Sequence, residues 1–138
     1  MTAATVFVVD DDAAVRDGLA LLLDTSGLAV ETFDSADAFL AAFDVERPGC
    51  LVVDVRMPGK TGPELQGEMT RRGLRLPVIF LTAYGDVPTT VQAMKAGAVD
   101  FLTKPIDAPV LLECVKQAIE SDARQRAAAE VANGRRGQ

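Results

Sequence analysis

Residues 6–12 read Val6-Phe7-Val8-Val9-Asp10-Asp11-Asp12, a short unbroken apolar run that stops at three consecutive carboxylates. An apolar run of this length without polar alternation fits a strand buried on both faces, as in a parallel sheet. The arrangement returns along the chain. Leu51–Val53 stops at Asp54, Val78–Leu81 stops at Thr82, and a shorter run at Val99–Leu102 leads to Lys104-Pro105. Leu28–Phe33 is a further run, alternating rather than continuous. If these are parallel strands of one sheet, carboxylates, a hydroxyl and an ammonium group gather along a single edge, which is then the working surface.

Between the runs the period becomes helical. Val15, Leu19, Leu22 and Leu23 fall at i, i+4, i+7 and i+8, and Ala36, Phe39, Leu40 and Phe43 at i, i+3, i+4 and i+7, each an apolar stripe on a helix. Val87, Val91 and Met94 continue the theme, as do Leu111, Val115 and Ala118. Gly27, Gly73 and Gly97 follow helical segments, while Ser35 and Asp107 stand where an N-cap belongs. The helix between Gly62 and Arg72 has the faintest signal. Five strand-then-helix units predict an α/β fold, a single doubly wound (βα)5 domain over residues 1–120, with right-handed crossovers and helices on both faces of a parallel five-stranded sheet. From Ser121 the apolar period fades into Ala- and Arg-rich sequence, so residues 121–138 are expected to extend the last helix and fray into a flexible linker.

The 138 residues, 49% hydrophobic and 25% charged, suit one compact domain. No charged leader precedes an apolar stretch, and no run approaches the roughly 20 apolar residues that span a bilayer. A soluble, cytoplasmic protein with no membrane partner is expected. Cys50 and Cys114 lie in apolar periodic segments without metal-ligand spacing and read as buried thiols. Histidine is absent, which excludes histidine general-base catalysis, the usual zinc sites and a phosphohistidine on this chain. The formal charge is −6, but the tail from Ser121 carries four arginines against Asp122 and Glu130, leaving ten basic and eighteen acidic side chains in residues 1–120. An acidic body argues against direct nucleic-acid binding and suits a divalent cation.

In an open parallel sheet ligands bind beyond the carboxyl ends of the strands, where strand order reverses. Asp10, Asp11, Asp54, Thr82 and Lys104 stand at four such ends. Three converging carboxylates repel by about 4 kcal/mol per pair at 4 Å and an effective dielectric near 20, so they protonate or hold a cation. Oxygen ligands without imidazole or thiolate point to a hard ion, Mg²⁺ or Mn²⁺. With Lys104 as a mobile positive charge and Thr82 as a hydroxyl donor, the set is able to bind a phosphoryl group, which Asp54 accepts as nucleophile. Each residue alone has a plainer reading: a solvated turn capped by Asp12, a turn aspartate at Asp54, a threonine bonded to backbone, a surface lysine before a turn proline. Jointly those readings require four coincidences at four strand ends.

The motifs VVDDD with Arg16 downstream, VVDVRMPGKTG, FLTAYGD and KAGAVDFLTKP resemble the receiver domain of two-component response regulators across residues 5 to about 120. Residues 84–105, YGDVPTTVQAMKAGAVDFLTKP, look most like the FixJ-type branch. The resemblance implies the flavodoxin-like strand order 2-1-3-4-5 and a phosphoryl group received by Asp54 from a histidine kinase or phosphotransfer protein. Such a domain catalyses its own phosphorylation and slow dephosphorylation without being a classical enzyme. The resemblance further implies Mg²⁺ held by Asp11, Asp54 and the backbone carbonyl of Arg56, with Asp10 reaching it through water. Lys104, joined to Pro105 by a cis bond, would pair with the phosphoryl group. Thr82, Phe101 and Pro105 would form the switch, Thr82 moving toward the phosphoryl oxygen and Phe101 turning inward. Asp12, one place past the paired acids, is left to capping or outer solvation. Arg56 and Tyr84, two places after Asp54 and Thr82, would control water access.

The implied output is a homodimer formed on phosphorylation through the face of the fourth helix, fifth strand and fifth helix, with Val91, Lys95, Asp100 and Leu111 nearby. Two departures stand out: the switch aromatic is Phe101 rather than tyrosine, and Ile106 stands where FixJ-type relatives tend to carry Phe. A helix-turn-helix output domain, which the resemblance implies, is not in these 138 residues, so the chain reads as a receiver separated from it or as a single-domain relay. Rival classes fare worse. Phosphatases and dehalogenases with an Asp nucleophile usually carry a second Asp two residues on, where Arg56 stands, and no GxxxxGK[ST] or GxGxxG follows a strand. An adaptor that signals without phosphorylation has no need of the full acid, hydroxyl and lysine set.

Overall fold

A computed structural model describes residues 4–43, 47–83, 87–95 and 97–136. The apolar runs become strands β1 (Thr5–Val9), β2 (Ala29–Phe33), β3 (Gly49–Asp54), β4 (Val78–Thr82) and β5 (Asp100–Thr103). Between and after them lie α1 (Ala13–Thr25), α2 (Ala36–Ala42), α3 (Gly62–Arg71), α4 (Val87–Lys95) and α5 (Ala108–Arg136). All strands are parallel, in the order β2-β1-β3-β4-β5. Burial follows the sequence pattern. The continuous runs β1, β3 and β4 are wholly buried in the middle of the sheet, and the alternating β2 and short β5 form half-exposed edges.

Because successive strand residues point to opposite faces, each central strand feeds two cores. Phe7, Val9, Leu51, Val53, Val78 and Phe80 pack with Phe39 and Leu40 of α2 and Leu65 and Met69 of α3, and Met94 of α4 joins them. Val6, Val8, Cys50, Val52, Ile79 and Leu81 pack with Leu19 and Leu23 of α1 and Leu111, Val115 and Ala118 of α5. The chain leaves β1 for β2 on one side and returns past it to β3 on the other. The crevice between the carboxyl ends of β1 and β3 is therefore the place where strand order reverses.

Local chemistry fixes the helix starts. Asp12 accepts from the amides of Ala14 and Val15, and Ser35 from that of Ala38. The faint helix α3 is real because its start is over-determined. Thr61 and Glu64 form a reciprocal capping box, with Pro63 in the first turn. Gly62 is needed there: a Cβ would lie 2.5 Å from the Asp54 carbonyl oxygen and 2.9 Å from a ring carbon of Phe80. The start of α3 is thus pressed against the strand end that carries Asp54.

The last helix continues past the point where its apolar period fades, to Arg136, with Asp122 buried and bonded to the body of the domain. One expectation changes, that both thiols are buried. Cys50 is buried, its thiol pushed up to about 12 by burial and then by Asp122. Cys114 is only half-buried, its sulfur 3.4 Å from an Asp100 carboxylate oxygen; desolvation and that carboxylate push its thiol up to about 11. Among the described residues no helix is long and apolar enough to cross a membrane.

Candidate functional site

Strand register brings the site together. Val9 of β1 lies opposite Val53 of β3, and Asp54 lies opposite Leu81 of β4, so Asp10, Asp54 and Thr82 emerge at one edge. Lys104 joins them because its amide donates to the Thr82 carbonyl at 2.8 Å, continuing the pairing of β5 with β4. The Lys104-Pro105 bond is cis.

The Lys104 ammonium donates to Asp54 Oδ2 at 2.7 Å and to Asp10 Oδ2 at 3.3 Å. Fifty and ninety-four positions of sequence close into one contact. Asp54 is buried, and its other oxygen accepts from the Arg56 amide at 3.0 Å. Asp10 is fully buried, and its Oδ1 accepts from the Asp12 amide at 2.9 Å. Asp11 is exposed at the tip of the turn. Asp10, Asp11 and Asp54 each present a carboxylate oxygen within 4.8 Å of the others.

The electrostatics show a cluster short of positive charge. Burial lifts the Asp10 carboxyl above its ordinary value. The Asp12 amide opposes this, the charge of Asp54 adds to it, and Lys104 only partly offsets it. For Lys104, burial would favour the neutral amine, but the hydrogen bond and charge of Asp54, then those of Asp10, prevail and hold the ammonium above its ordinary value. Among the described residues, the Lys104 ammonium bonds two of the three clustered carboxylates, Asp10 and Asp54. The donor set is all oxygen, with neither imidazole nor thiolate among its members, and it fits a hard divalent cation.

Other expected residues sit apart. Thr82 is buried, but its hydroxyl donates to the Ala83 carbonyl at 3.2 Å rather than to the acids. Phe101 is 41% exposed, turned away from the interior that its expected switched position would fill. Arg56 extends an exposed side chain beside Asp54, and Pro105 is exposed. Asp12 caps α1, as assigned. Tyr84 lies outside the described residues. Sequence reasoning missed one participant: Arg16 Nη1 donates to the Asp10 carbonyl at 2.7 Å. Its place in the first motif was the available signal.

Compared with known proteins, residues 6–133 match the response regulator receiver domain family. The chain belongs to that family. The FixJ-type likeness also holds for this receiver domain. It is 50% identical over 120 residues to the transcriptional regulatory protein FixJ of Azorhizobium caulinodans, covering 87% of this chain and 57% of that protein. It is 50% identical over 117 residues to the transcriptional regulatory protein TdiR of Thauera aromatica, covering 85% of this chain and 52% of that one. The receiver domain thus spans a little over half the length of these relatives. Among solved structures, the response regulator StyR superposes with a TM-score of 0.92 at 48% identity, covering 96% of this chain and 67% of that one. The crystal structure of FixJ-N gives 0.81 at 45% identity, covering 87% and 96%.

Proposed function

We propose that this receiver domain takes a phosphoryl group from a phosphohistidine of a partner kinase or phosphotransfer protein onto Asp54, and so controls a transcriptional output. The observation that carries the reading is the Lys104 ammonium seated 2.7 Å from Asp54 and 3.3 Å from Asp10. A nucleophilic carboxylate, a cation for the incoming phosphoryl oxygens and a three-acid cluster share one crevice. An oxygen of Asp54 attacks phosphorus, the P–N bond breaks, and its electron pair returns to the partner's imidazole, leaving an acyl phosphate on Asp54. Asp11, Asp54 and the carbonyl of Arg56 would hold Mg²⁺, with Asp10 reaching it through water. When bound, Mg²⁺ supplies charge neutralisation on the phosphoryl oxygens. Lys104 leaves its carboxylate partners to pair with the product dianion. Thr82 exchanges its bond to the Ala83 carbonyl for one to a phosphoryl oxygen.

The readout is a population shift of the face formed by α4, β5 and α5 toward a dimer. Val91, Phe101 and Val110, each exposed by 41–46%, support this choice as apolar side chains on those three elements. Incubation with acetyl phosphate and Mg²⁺ is expected to add one phosphoryl group by mass and to shift the protein to a dimer by size. No gain in mass would overturn the proposal. Arg56 and Tyr84 limit water access to the acyl phosphate. Tyr84→Ala is expected to shorten its lifetime, and an unchanged or longer lifetime counts against that role.

A further inference from the structure

Arg16 belongs to the first of the motifs that mark the family, yet the chemistry proposed above gives it no task. Its contacts do. The three aspartates after β1 are held by a closed ring of hydrogen bonds rather than a loose turn. The Asp12 amide donates to Asp10 Oδ1 at 2.9 Å, the Arg16 amide donates to the Asp12 carbonyl at 3.0 Å, and Arg16 Nη1 donates to the Asp10 carbonyl at 2.7 Å. From Asp10 through Asp12 to Arg16, the path returns to Asp10. The ring is anchored on α1, because Asp12 is also the cap of that helix. Asp11, exposed and inside the ring, has its peptide planes set from both sides.

Carboxylates brought within 4.8 Å of one another repel. A pliant turn relaxes by swinging them apart. Opening this turn requires breaking the short bond from the Arg16 guanidinium, which is charge-assisted and stronger than a neutral one. We propose that Arg16 is a positioning residue: from the first turn of α1 it grips the Asp10 carbonyl and so holds the Asp10 and Asp11 carboxylates at the spacing a divalent cation needs. It acts through the peptide it grips. Its partner is a single carbonyl oxygen, so reach and a fixed donor direction matter, and the guanidinium supplies both better than an ammonium.

This assignment rests on the acid cluster being the Mg²⁺ site of the proposed function. The test is a titration of the unphosphorylated full chain with Mg²⁺ alone, following the backbone amide resonances of Asp11 and Asp12, with the thermal midpoint recorded in metal-free buffer. Arg16→Met keeps the aliphatic stem and removes the donors. It is expected to weaken Mg²⁺ binding by about tenfold to a hundredfold, the usual consequence of removing a group that orients metal ligands. Arg16→Lys is expected to lie between that variant and the parent. A merely structural role would lower the midpoint and leave Mg²⁺ affinity unmoved. That result, or equal affinity in parent and Arg16→Met, or a loss that Arg16→Lys does not lessen, overturns the assignment. Should Arg16→Met not fold, Arg16→Lys decides alone, and parental affinity in it overturns the assignment. A parent that binds Mg²⁺ but accepts no phosphoryl from acetyl phosphate sinks the proposed function only. A parent that binds no Mg²⁺ sinks both.

Discussion

Asp54→Asn is expected to accept no phosphoryl group while folding as well as the parent. The amide has no charged oxygen to attack phosphorus, so acyl phosphate formation falls to background rather than by a fixed factor, and phosphorylation-driven dimerisation goes with it. Stability moves the other way or not at all. In the parent, Asp54 shares one crevice with Asp10 and Asp11, their oxygens within 4.8 Å, and Lys104 compensates a single charge. Removing one of three crowded carboxylates relieves repulsion at both of the others. The asparagine oxygen remains an acceptor for the Arg56 amide, now 3.0 Å from Asp54 Oδ1, and Lys104 keeps Asp10 as a charged partner at 3.3 Å. An unfolding midpoint that is unchanged or raised, with no phosphoryl gain by mass, separates lost chemistry from lost fold. Phosphorylation of Asp54→Asn to the parental level would refute the assignment of the acceptor.

How much of this was legible in the sequence differs by residue for physical reasons. Continuous apolar runs mark strands covered on both faces, so β1, β3 and β4 were readable, and the alternation of Leu28–Phe33 already announced an edge. A parallel sheet places every strand's carboxyl end on one side. Asp10, Asp54 and Lys104 were therefore collected by topology, without knowledge of any contact. What topology does not set is side-chain direction. The Thr82 hydroxyl points to the Ala83 carbonyl, and the reach of Arg16 to the Asp10 carbonyl follows from the pitch of α1 and one rotamer. Cys50 and Cys114 sit in equally apolar stretches, yet one lies in a central strand and the other on a helix flank beside Asp100. The sequence offers Asp122 only as one charge of an Ala- and Arg-rich stretch, and the three-dimensional path of α5 shows what it meets.

Asp122→Ala is expected to cause a large loss of stability, at the pole of the domain opposite Asp54. The Asp122 carboxylate is 4% exposed. It accepts from the Gly49 amide at 3.0 Å and from Arg126 Nε at 2.7 Å. Arg126 Nη2 in turn donates to the carbonyls of Arg47 at 2.9 Å and Arg75 at 3.2 Å. One helical turn of α5 thus ties together the segments that lead into β3 and β4. Gly49 lies close against β1: at φ 148° a Cβ there would lie 1.8 Å from the Thr5 carbonyl oxygen. Truncating Asp122 leaves this amide without its acceptor and removes from the guanidinium, 27% exposed, its bond to that carboxylate. Breaking a buried pair from one side costs about 3–5 kcal/mol, a large share of the roughly 5–15 kcal/mol that holds a domain together. Asp122→Asn keeps an acceptor for Gly49 and should lose clearly less. The effect should also be local. Beyond Arg126 about ten residues of α5 remain, a length at which an isolated helix is marginal in water, so their amide exchange should rise together with that of Gly49. Urea unfolding and hydrogen exchange measure the two quantities. A loss below about 1 kcal/mol, the range of a solvated pair, with exchange unchanged past Arg126, would show that something other than Asp122 holds the end of α5.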